Sequence, residues 1–313
     1  MKKFFVIPFI LIYTLIFAPC IAQDTKDYQT FTYFQDDSTE LLLDLFISNS
    51  ADTIAPLVIF MHGGGFSGGN RSYGREFCRF LSENGIHAAT ISYTLYMKNK
   101  NFSCDGILTE KIKAIQMAAY QGRIATQWFI EHADSLRIDT TLIFLAGSSA
   151  GAEAVLQAAF WDTTAVNFFP DTLSPSFVYA GLISGAGALI DINMINECNS
   201  IPTILFHGTC DPLVPYYIGP HHYCSQIASG YMMMFGSLAI HEKQESLNQS
   251  SQLMSYCNEG HEHAATGFGT PGKYEVLDFI QKIISGEHFY IHRIFKNSKE
   301  CKMGLDFVFC YEP

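Results

Sequence analysis

The stretch that decides the fold is IFLAGSSAGAEAV, residues 143–155. It begins as an apolar run typical of a buried strand, turns through glycines and serines, and continues as alanine-rich sequence typical of a helix. Gly147 and Gly151 flank Ser149 in the pattern G-x-S-x-G. A strand that enters a helix through so sharp a turn needs small neighbours, because a larger side chain would collide with the turn. We therefore expect Ser149 at the apex of a strand–turn–helix corner.

Short apolar runs alternate with helical patterns on both sides of this corner. The expected strands are residues 41–47, 55–69 with a glycine-rich turn at the end, 86–94, 141–147, 177–184, 202–208 and 252–257. The expected helices are residues 75–85, 109–133, 152–160 and 274–284. This alternation is typical of an α/β fold with a mostly parallel sheet covered on both faces. The chain has 313 residues, no internal repeat and no linker rich in Pro, Gly or Ser, which favours one main domain.

The N-terminus predicts export. Residues 1–22 carry Lys2 and Lys3, then a long apolar stretch, then small residues ending at Ala22, which is the pattern of a secretory signal peptide. A retained membrane anchor is the alternative, because the stretch approaches the length that spans a bilayer. Lipid attachment at Cys20 is less favoured, because a proline precedes that cysteine. We expect cleavage after Ala22, which leaves a secreted or periplasmic protein without a stable membrane span.

The cysteines fit the same compartment. Eight follow the signal: Cys78, Cys104, Cys198, Cys210, Cys224, Cys257, Cys301 and Cys310. An even number in an exported chain favours disulfides, although about 105 pairings remain open. We expect at least two bridges. Cys301 with Cys310 and Cys78 with Cys104 are the candidate pairs, and buried free thiols are the alternative for the remainder.

The composition of the chain disfavours some classes of binding partner. The sequence is 48% hydrophobic and 16% charged, which is typical of a compact globular chain. Its net charge of -11 makes nucleic acid and anionic membrane surfaces poor partners.

Three polar turns follow strands at the edge where ligands gather in open α/β sheets. The first contains HGGG at 62–65, the second GSSAG at 147–151, and the third spans 208–215. Ser149 in the second turn is a candidate nucleophile, and Asp211 in the third turn is a candidate acid. Acyl transfer also needs a base and backbone amides that face the oxyanion.

The remaining parts of such a site are present in the chain. Gly64 and Gly65 can turn their N–H groups into the cleft because they carry no side chains, and the N–H of Ala150 follows the nucleophile directly. The loop at 257–268 offers two histidines as base, His261 and His263. The sequence does not fix which way either side chain points.

This assembly resembles the α/β-hydrolase superfamily, in particular secreted carboxylesterases with an HGGG oxyanion loop. The resemblance runs from about residue 35 to 285 and is strongest at MHGGGFSGG, LAGSSAGA and HGTCDPLVPY. The chain order Ser, Asp, His is also that of the superfamily. The resemblance implies a sheet of about eight strands, with a catalytic domain over residues 23–285. The tail at 286–313 has no counterpart that the resemblance identifies.

The resemblance also bears on individual residues. Relatives commonly carry the base three residues after a glycine, which favours His263 after Gly260 and leaves His261 as the alternative. Gly122 stands where relatives usually have an aspartate that braces the site, so bracing must come from elsewhere. The long aromatic segment after Asp211 is a candidate wall of the substrate pocket.

The sequence thus predicts a secreted serine hydrolase that cleaves carboxylic esters through an acyl-enzyme. Its substrate is a small-molecule or polysaccharide-linked ester, and no metal or organic cofactor is required. Zinc at His221, His222 and Cys224, together with His261 and His263, is disfavoured, because a cysteine in an oxidising compartment more often forms a disulfide and the spacing is not that of a known zinc module. The alternatives are a serine peptidase of the prolyl oligopeptidase kind and a catalytically silent binding protein on the same fold. Acyl chain length and oligomeric state remain open.

Overall fold

The computed structural model describes residues 1–2, 27–49, 53–161, 168–170 and 173–311. Nearly all of the predicted signal peptide, including Cys20 and the cleavage site after Ala22, lies outside these residues. Within the described ranges, no helix combines the length and the apolar character that crossing a membrane requires.

Eleven strands and six α-helices make up the described fold. The strands are β1 (Gln29–Gln35), β2 (Glu40–Phe46), β3 (Ala55–Met61), β4 (His87–Ile91), β5 (Ile138–Ser148), β6 (Gly181–Gly185), β7 (Thr203–Gly208), β8 (Ile218–Pro220), β9 (Met233–Phe235), β10 (Ser251–Tyr256) and β11 (Tyr290–Phe295). The helices are α1 (Arg75–Glu83), α2 (Leu108–Glu131), α3 (Ala133–Leu136), α4 (Ala150–Ala159), α5 (Ser237–Ser246) and α6 (Gly272–Ile284).

Nine of the strands form one sheet in the order β1-β2-β4-β3-β5-β6-β7-β10-β11. The pairs β1–β2 and β2–β4 are antiparallel, and every other neighbouring pair is parallel. Strands β8 and β9 form a separate antiparallel ribbon. The predicted mostly parallel α/β sheet is therefore confirmed, with nine strands where about eight were expected.

Hydrophobic cores lie on both faces of the sheet, and β3 contributes to each. Leu57 and Ile59 belong to the core that includes residues of α2 and α4, whereas Val58 and Phe60 belong to the core that includes residues of α1 and α6. A strand that buries both faces reads as a continuous apolar run, because neither set of alternating side chains meets water. The APLVIFM sequence of β3 has this character.

The C-terminal tail is part of this sheet. Within residues 286–313, β11 pairs in parallel with β10, from Ser251 opposite Tyr290 to Tyr256 opposite Phe295. β11 was not expected from the sequence, because its residues are only partly buried and its apolar pattern is correspondingly weak. The tail thus extends the sheet beyond residue 285.

Three disulfides are present, so the prediction of at least two is confirmed. They join Cys104 to Cys224, Cys210 to Cys301, and Cys257 to Cys310, and the free cysteines within the described ranges are Cys78 and Cys198. Both predicted pairs, Cys301–Cys310 and Cys78–Cys104, are wrong. The tail passes over the loops after β7 and β10, where its two cysteines meet Cys210 and Cys257. Cys78 lies instead in the core that contains α1.

Candidate active site

The corner between β5 and α4 has the geometry that its glycines predict. Ser149 has φ 53° and ψ −123°, a left-handed backbone conformation that residues with side chains rarely adopt. A Cβ on Gly147 would lie 2.3 Å from the carbonyl oxygen of Gly151, and a Cβ on Gly151 would lie 2.2 Å from the carbonyl oxygen of Met61. Neither position has room for a side chain, so the two glycines allow the corner that exposes Ser149.

Ser149 is the first member of a chain of hydrogen bonds between side chains. Its Oγ lies 2.7 Å from Nε2 of His261, and Nδ1 of His261 lies 2.6 Å from Oδ2 of Asp211. The buried carboxylate also accepts hydrogen bonds from the backbone N–H groups of Leu213 at 2.8 Å and Val214 at 3.0 Å. Because an ionised carboxylate only accepts, Nδ1 of His261 carries the proton and Nε2 is free to accept one from Ser149.

The preference for His263 as the base is corrected by this geometry. The ring of His263 stacks on Tyr256 with the centroids 3.8 Å apart, and its Nδ1 lies 3.0 Å from Oγ1 of Thr266. Both histidines belong to the 3₁₀ helix His261–Phe268. Since such a helix has three residues per turn, side chains two residues apart point about 240° apart. When His261 faces Ser149, His263 consequently faces away.

Asp211 and His261 shift each other's pKa: the pKa of the carboxyl is lowered and that of the imidazole is raised. Burial alone would raise the pKa of Asp211, but hydrogen bonds from His207 and His261 hold it well below its ordinary value. Burial acts against the charged form of His261, but the hydrogen bond and charge of Asp211 outweigh it and raise the pKa of the imidazole. The pair therefore favours a carboxylate beside an imidazole that accepts a proton readily.

His207 is a second support of Asp211 that was not expected from the sequence. It is fully buried, with Nε2 3.3 Å from Oδ2 of Asp211 and Nδ1 2.8 Å from Oγ of Ser237. Its position at the end of a buried strand resembles that of any core histidine. No pattern in the sequence singles it out, because its partners come from α5 and from the turn after β7.

The HGGG loop lies against the serine corner. A Cβ on Gly63 would lie 2.9 Å from the carbonyl oxygen of Ser148, so the loop passes within van der Waals contact of the turn. Gly64 and Gly65 have φ of 124° and 58°, which glycine adopts without strain. Nδ1 of His62 lies 2.7 Å from the carbonyl oxygen of Gly63, a contact that links the ring to the loop.

Gly122 has no side chain that could brace the HGGG loop, and Tyr93 contacts the loop instead. The Tyr93 hydroxyl donates to the carbonyl oxygen of His62 at 2.6 Å, and its ring stacks on that of His62. Gln121, the neighbour of Gly122, accepts a hydrogen bond from the N–H of Thr94 at 2.7 Å. Gly122 itself packs close to Met61, where a Cβ would lie 3.0 Å from the sulfur.

Two cavities open on either side of Ser149. The first, called here the aromatic cavity, has a volume of about 610 Å³ and is lined by the HGGG loop together with His261, Phe60, Tyr73 and Phe268. The second, called here the polar cavity, has a volume of about 440 Å³ and is lined by Phe102, Ser103, Ala150, Glu153, His221 and His222, among others. Leu213, His221 and His222 show that the segment after Asp211 does form pocket wall. Cys224 of the disfavoured zinc set is held in a disulfide.

Comparisons with known proteins agree with this arrangement. Residues 43–197 match the BD-FAE family model. An esterase from the planctomycete Thermogutta terrifontis, with propionate bound, superimposes with a TM-score of 0.59 at 16% identity over 83% of this chain and 94% of that chain. The chain has the α/β-hydrolase fold.

Further solved structures have the same fold as this chain. Esterase 2 of T. terrifontis phosphorylated by paraoxon gives a TM-score of 0.58 at 17% identity, again over 83% and 94% of the two chains. The butyrate-bound form of the esterase gives 0.59 at 16% identity, with the same coverage. No curated protein matches the sequence of this α/β-hydrolase. The predicted α/β-hydrolase fold is therefore confirmed.

Proposed function

We propose that this α/β-hydrolase is a secreted serine hydrolase of carboxylic esters, with Ser149 as nucleophile, His261 as base and Asp211 as the acid that orients it. The observation that carries the proposal is the continuous hydrogen-bond chain from Ser149 through His261 to Asp211. This is the arrangement that activates a serine hydroxyl for acyl transfer.

The geometry supports a two-step reaction. Nε2 of His261 takes the proton of Ser149 as Oγ attacks the ester carbonyl carbon, and the carbonyl electron pair moves onto its oxygen. The N–H groups of Gly64, Gly65 and Ala150 are proposed to stabilise this oxyanion. Protonated His261 then gives its proton to the departing alkoxide, which leaves as the alcohol. Water repeats the sequence on the acyl-enzyme and releases the acid and free Ser149.

The oxyanion assignment has structural support in the loop. Within the described residues, the N–H groups of Gly64 and Gly65 form no hydrogen bond to another part of the chain. Both glycines line the aromatic cavity together with Ser149. Amides that are fixed in place and unpaired can bind developing negative charge without reorganisation when the reaction occurs.

Two further observations support ester substrates and export. The structural relatives are esterases, one with propionate bound and one with butyrate bound, and one is phosphorylated by paraoxon. Export is supported by the signal pattern of residues 1–22 together with the three disulfides, because such bonds persist mainly in oxidising compartments.

Covalent labelling tests the proposal. A fluorophosphonate probe should label wild-type protein at Ser149, and Ser149→Ala should lose both the label and about 10⁶-fold in kcat on a small ester. Ser148→Ala is the matched control, because it removes the neighbouring hydroxyl of the same turn, and it should keep most of the activity. A catalytically silent protein would take no label. Turnover retained by Ser149→Ala would end the proposed mechanism.

A further inference from the structure

The two cavities meet the reacting centre from different sides. Ser149, Gly65 and Leu213 line both cavities, whereas His261 lines the aromatic cavity and is absent from the lining of the polar cavity. In the proposed reaction, His261 must give a proton to the leaving oxygen, so the alcohol half of the ester has to depart on its side. The acyl half is then directed to the other side, into the polar cavity.

The polar cavity contains a buried carboxylate with unused hydrogen-bonding capacity. Glu153 lies one turn after Ser149 on α4, with a side chain only 1% exposed. Among the described residues, its Oε1 accepts no hydrogen bond, although it lies 3.2 Å from Nε2 of His221. Nδ1 of His221, which is equally buried, is also unpartnered. Unsatisfied buried polar atoms are costly, so a ligand that supplies a donor would gain from pairing with them.

The charges around Glu153 favour a neutral donor over a cation. Lys111 is buried beside the same cavity wall, where its Nζ donates to the carbonyl oxygen of Gly230 at 2.8 Å. Burial lowers the pKa of Lys111, while the charge of Glu153 acts to raise it. Burial, with His221 and Lys111, lowers the pKa of His222 to about 3, so His222 is neutral. An ammonium group on the ligand would compete with Lys111 for the carboxylate, whereas a hydroxyl would not.

Geometry limits the length of the acyl group. Four residues of α-helix rise about 6 Å, so the Glu153 backbone lies roughly that far along the helix axis from Ser149. The cavity holds about 440 Å³, enough for a small group, and the loops that carry Phe102 and His221 form part of its wall. The Cys104–Cys224 disulfide ties these two loops together. The walls are thus held in place before a substrate arrives.

We propose that the polar cavity is the acyl site and that Glu153 determines specificity by accepting a hydrogen bond from the hydroxyl of a short hydroxyacyl group. The proposal rests on the ester hydrolysis proposed above, and it makes Glu153 a binding residue with no part in proton transfer. The enzyme should consequently prefer a short 3-hydroxyacyl ester to the unsubstituted acyl ester of the same length.

The test compares ethyl 3-hydroxybutyrate, as both enantiomers, with ethyl butyrate, because the two esters share a leaving group. We expect wild-type kcat/KM to favour one hydroxy enantiomer by about tenfold to a hundredfold, the range of a hydrogen bond to a charged group. Glu153→Leu should abolish that preference, so that the ratio of kcat/KM for the two esters falls to about one. Glu153→Gln, which is isosteric and keeps a neutral acceptor, should reduce the preference.

The matched control is Gln157→Leu. Gln157 is a buried polar residue one turn further along α4, and its Oε1 is likewise unpartnered, but it does not line the polar cavity. It should leave the ratio between the two esters unchanged. An equal change in this control would overturn the proposal by showing a general effect on the helix.

Two other outcomes would also overturn it. A preference that survives Glu153→Leu would make the carboxylate a purely structural partner of Lys111 and His221. If Glu153→Leu does not fold, an unchanged ratio in Glu153→Gln leads to the same conclusion. Absence of any preference in the wild type, with Ser149 still labelled by a fluorophosphonate, would refute the hydroxyacyl site alone. Absence of the label would instead refute the proposed function.

Discussion

His261 and His263 are two residues apart in one loop, yet they belong to different environments. His261 connects Ser149 with Asp211, whereas His263 stacks on Tyr256. Ser149 and Asp211 could be proposed from the sequence, because glycine spacing and a position after an apolar strand are local properties of the sequence. The direction of a histidine depends on how the backbone winds after β10. The supports from His207 and Tyr93 depend on contacts distant in sequence, so they were not predictable.

Separate alanine substitutions should distinguish the two histidines. We expect His261→Ala to lower kcat on a small ester by a factor on the order of 10⁵–10⁶, since the base and nucleophile act as a unit. His263→Ala should keep at least about a tenth of the activity, because it removes a stacking contact outside the hydrogen-bond chain. Steady-state kinetics on one ester checks both. The reverse ranking would return the role of base to His263.

The pH dependence should report the contact between Asp211 and His261. The base works when neutral, so activity should fall as the pH drops through the pKa of His261, which the carboxylate raises above about 6.5. In Asp211→Asn the carboxylate that raises the pKa of His261 is gone, while burial still lowers that pKa. The acid limb of the kcat/KM profile should therefore move to lower pH, and kcat should fall. Glu262→Gln should move the limb less, because Asp211 is the stronger influence. If the acid limb does not move in Asp211→Asn, the pKa that the pH profile reports does not belong to His261.

At the scale of elements, burial explains which parts of the sheet could be predicted. Strands β3 and β7 and the second half of β5 are buried and largely apolar, and the sequence places them within a few residues. β1 and β11 lie at the two edges of the sheet, where much of each strand is exposed and the apolar pattern is weak. Helix α5 was missed for a similar reason, because its sequence SLAIHEKQES lacks a continuous apolar face.

The corner between β5 and α4 yields a prediction about stability. Gly151→Ala should lower the free energy of unfolding by about 3 kcal/mol or more, because the added Cβ meets the backbone oxygen of Met61 at 2.2 Å and backbone moves only at high cost. Gly269→Ala is the matched control. At that position φ is −113° and the nearest atom lies 4.0 Å from the added Cβ. Urea unfolding of both variants checks the difference, and similar midpoints would contradict the tight contact.

At the scale of the whole molecule, each disulfide fastens a loop that contributes to the site. Cys210 directly precedes Asp211 and is bonded to Cys301, while Cys257 begins the loop that carries His261 and is bonded to Cys310. Cys104–Cys224 joins the two walls of the polar cavity. The tail therefore supports both the acid and the base from outside the sheet. Sequence spacing could not reveal this, because the bonded cysteines are 53 to 120 residues apart.

Thiol mapping checks this connectivity in the chain cleaved after Ala22. In native protein, maleimide should label only Cys198, which is exposed, and denaturation without reductant should add only Cys78, which is buried. The other six cysteines should react only after reduction. Each bond typically contributes about 2–4 kcal/mol, so reductant should also lower the melting temperature. A label on Cys210 or Cys301 before reduction would contradict the bond between them.

The order of the bonded cysteines has a consequence for biosynthesis. Among the cysteines that the structure describes, no disulfide joins two that are neighbours in the sequence, and the loop 210–301 overlaps both of the other closed loops, 104–224 and 257–310. In a chain that meets an oxidant from its N-terminal end onwards, Cys210 emerges long before Cys301, and the nearest thiols available to it are wrong partners. Native bonds must then arise by thiol–disulfide exchange. Yield of active enzyme should accordingly depend on a disulfide isomerase in the host more than on the strength of its oxidant.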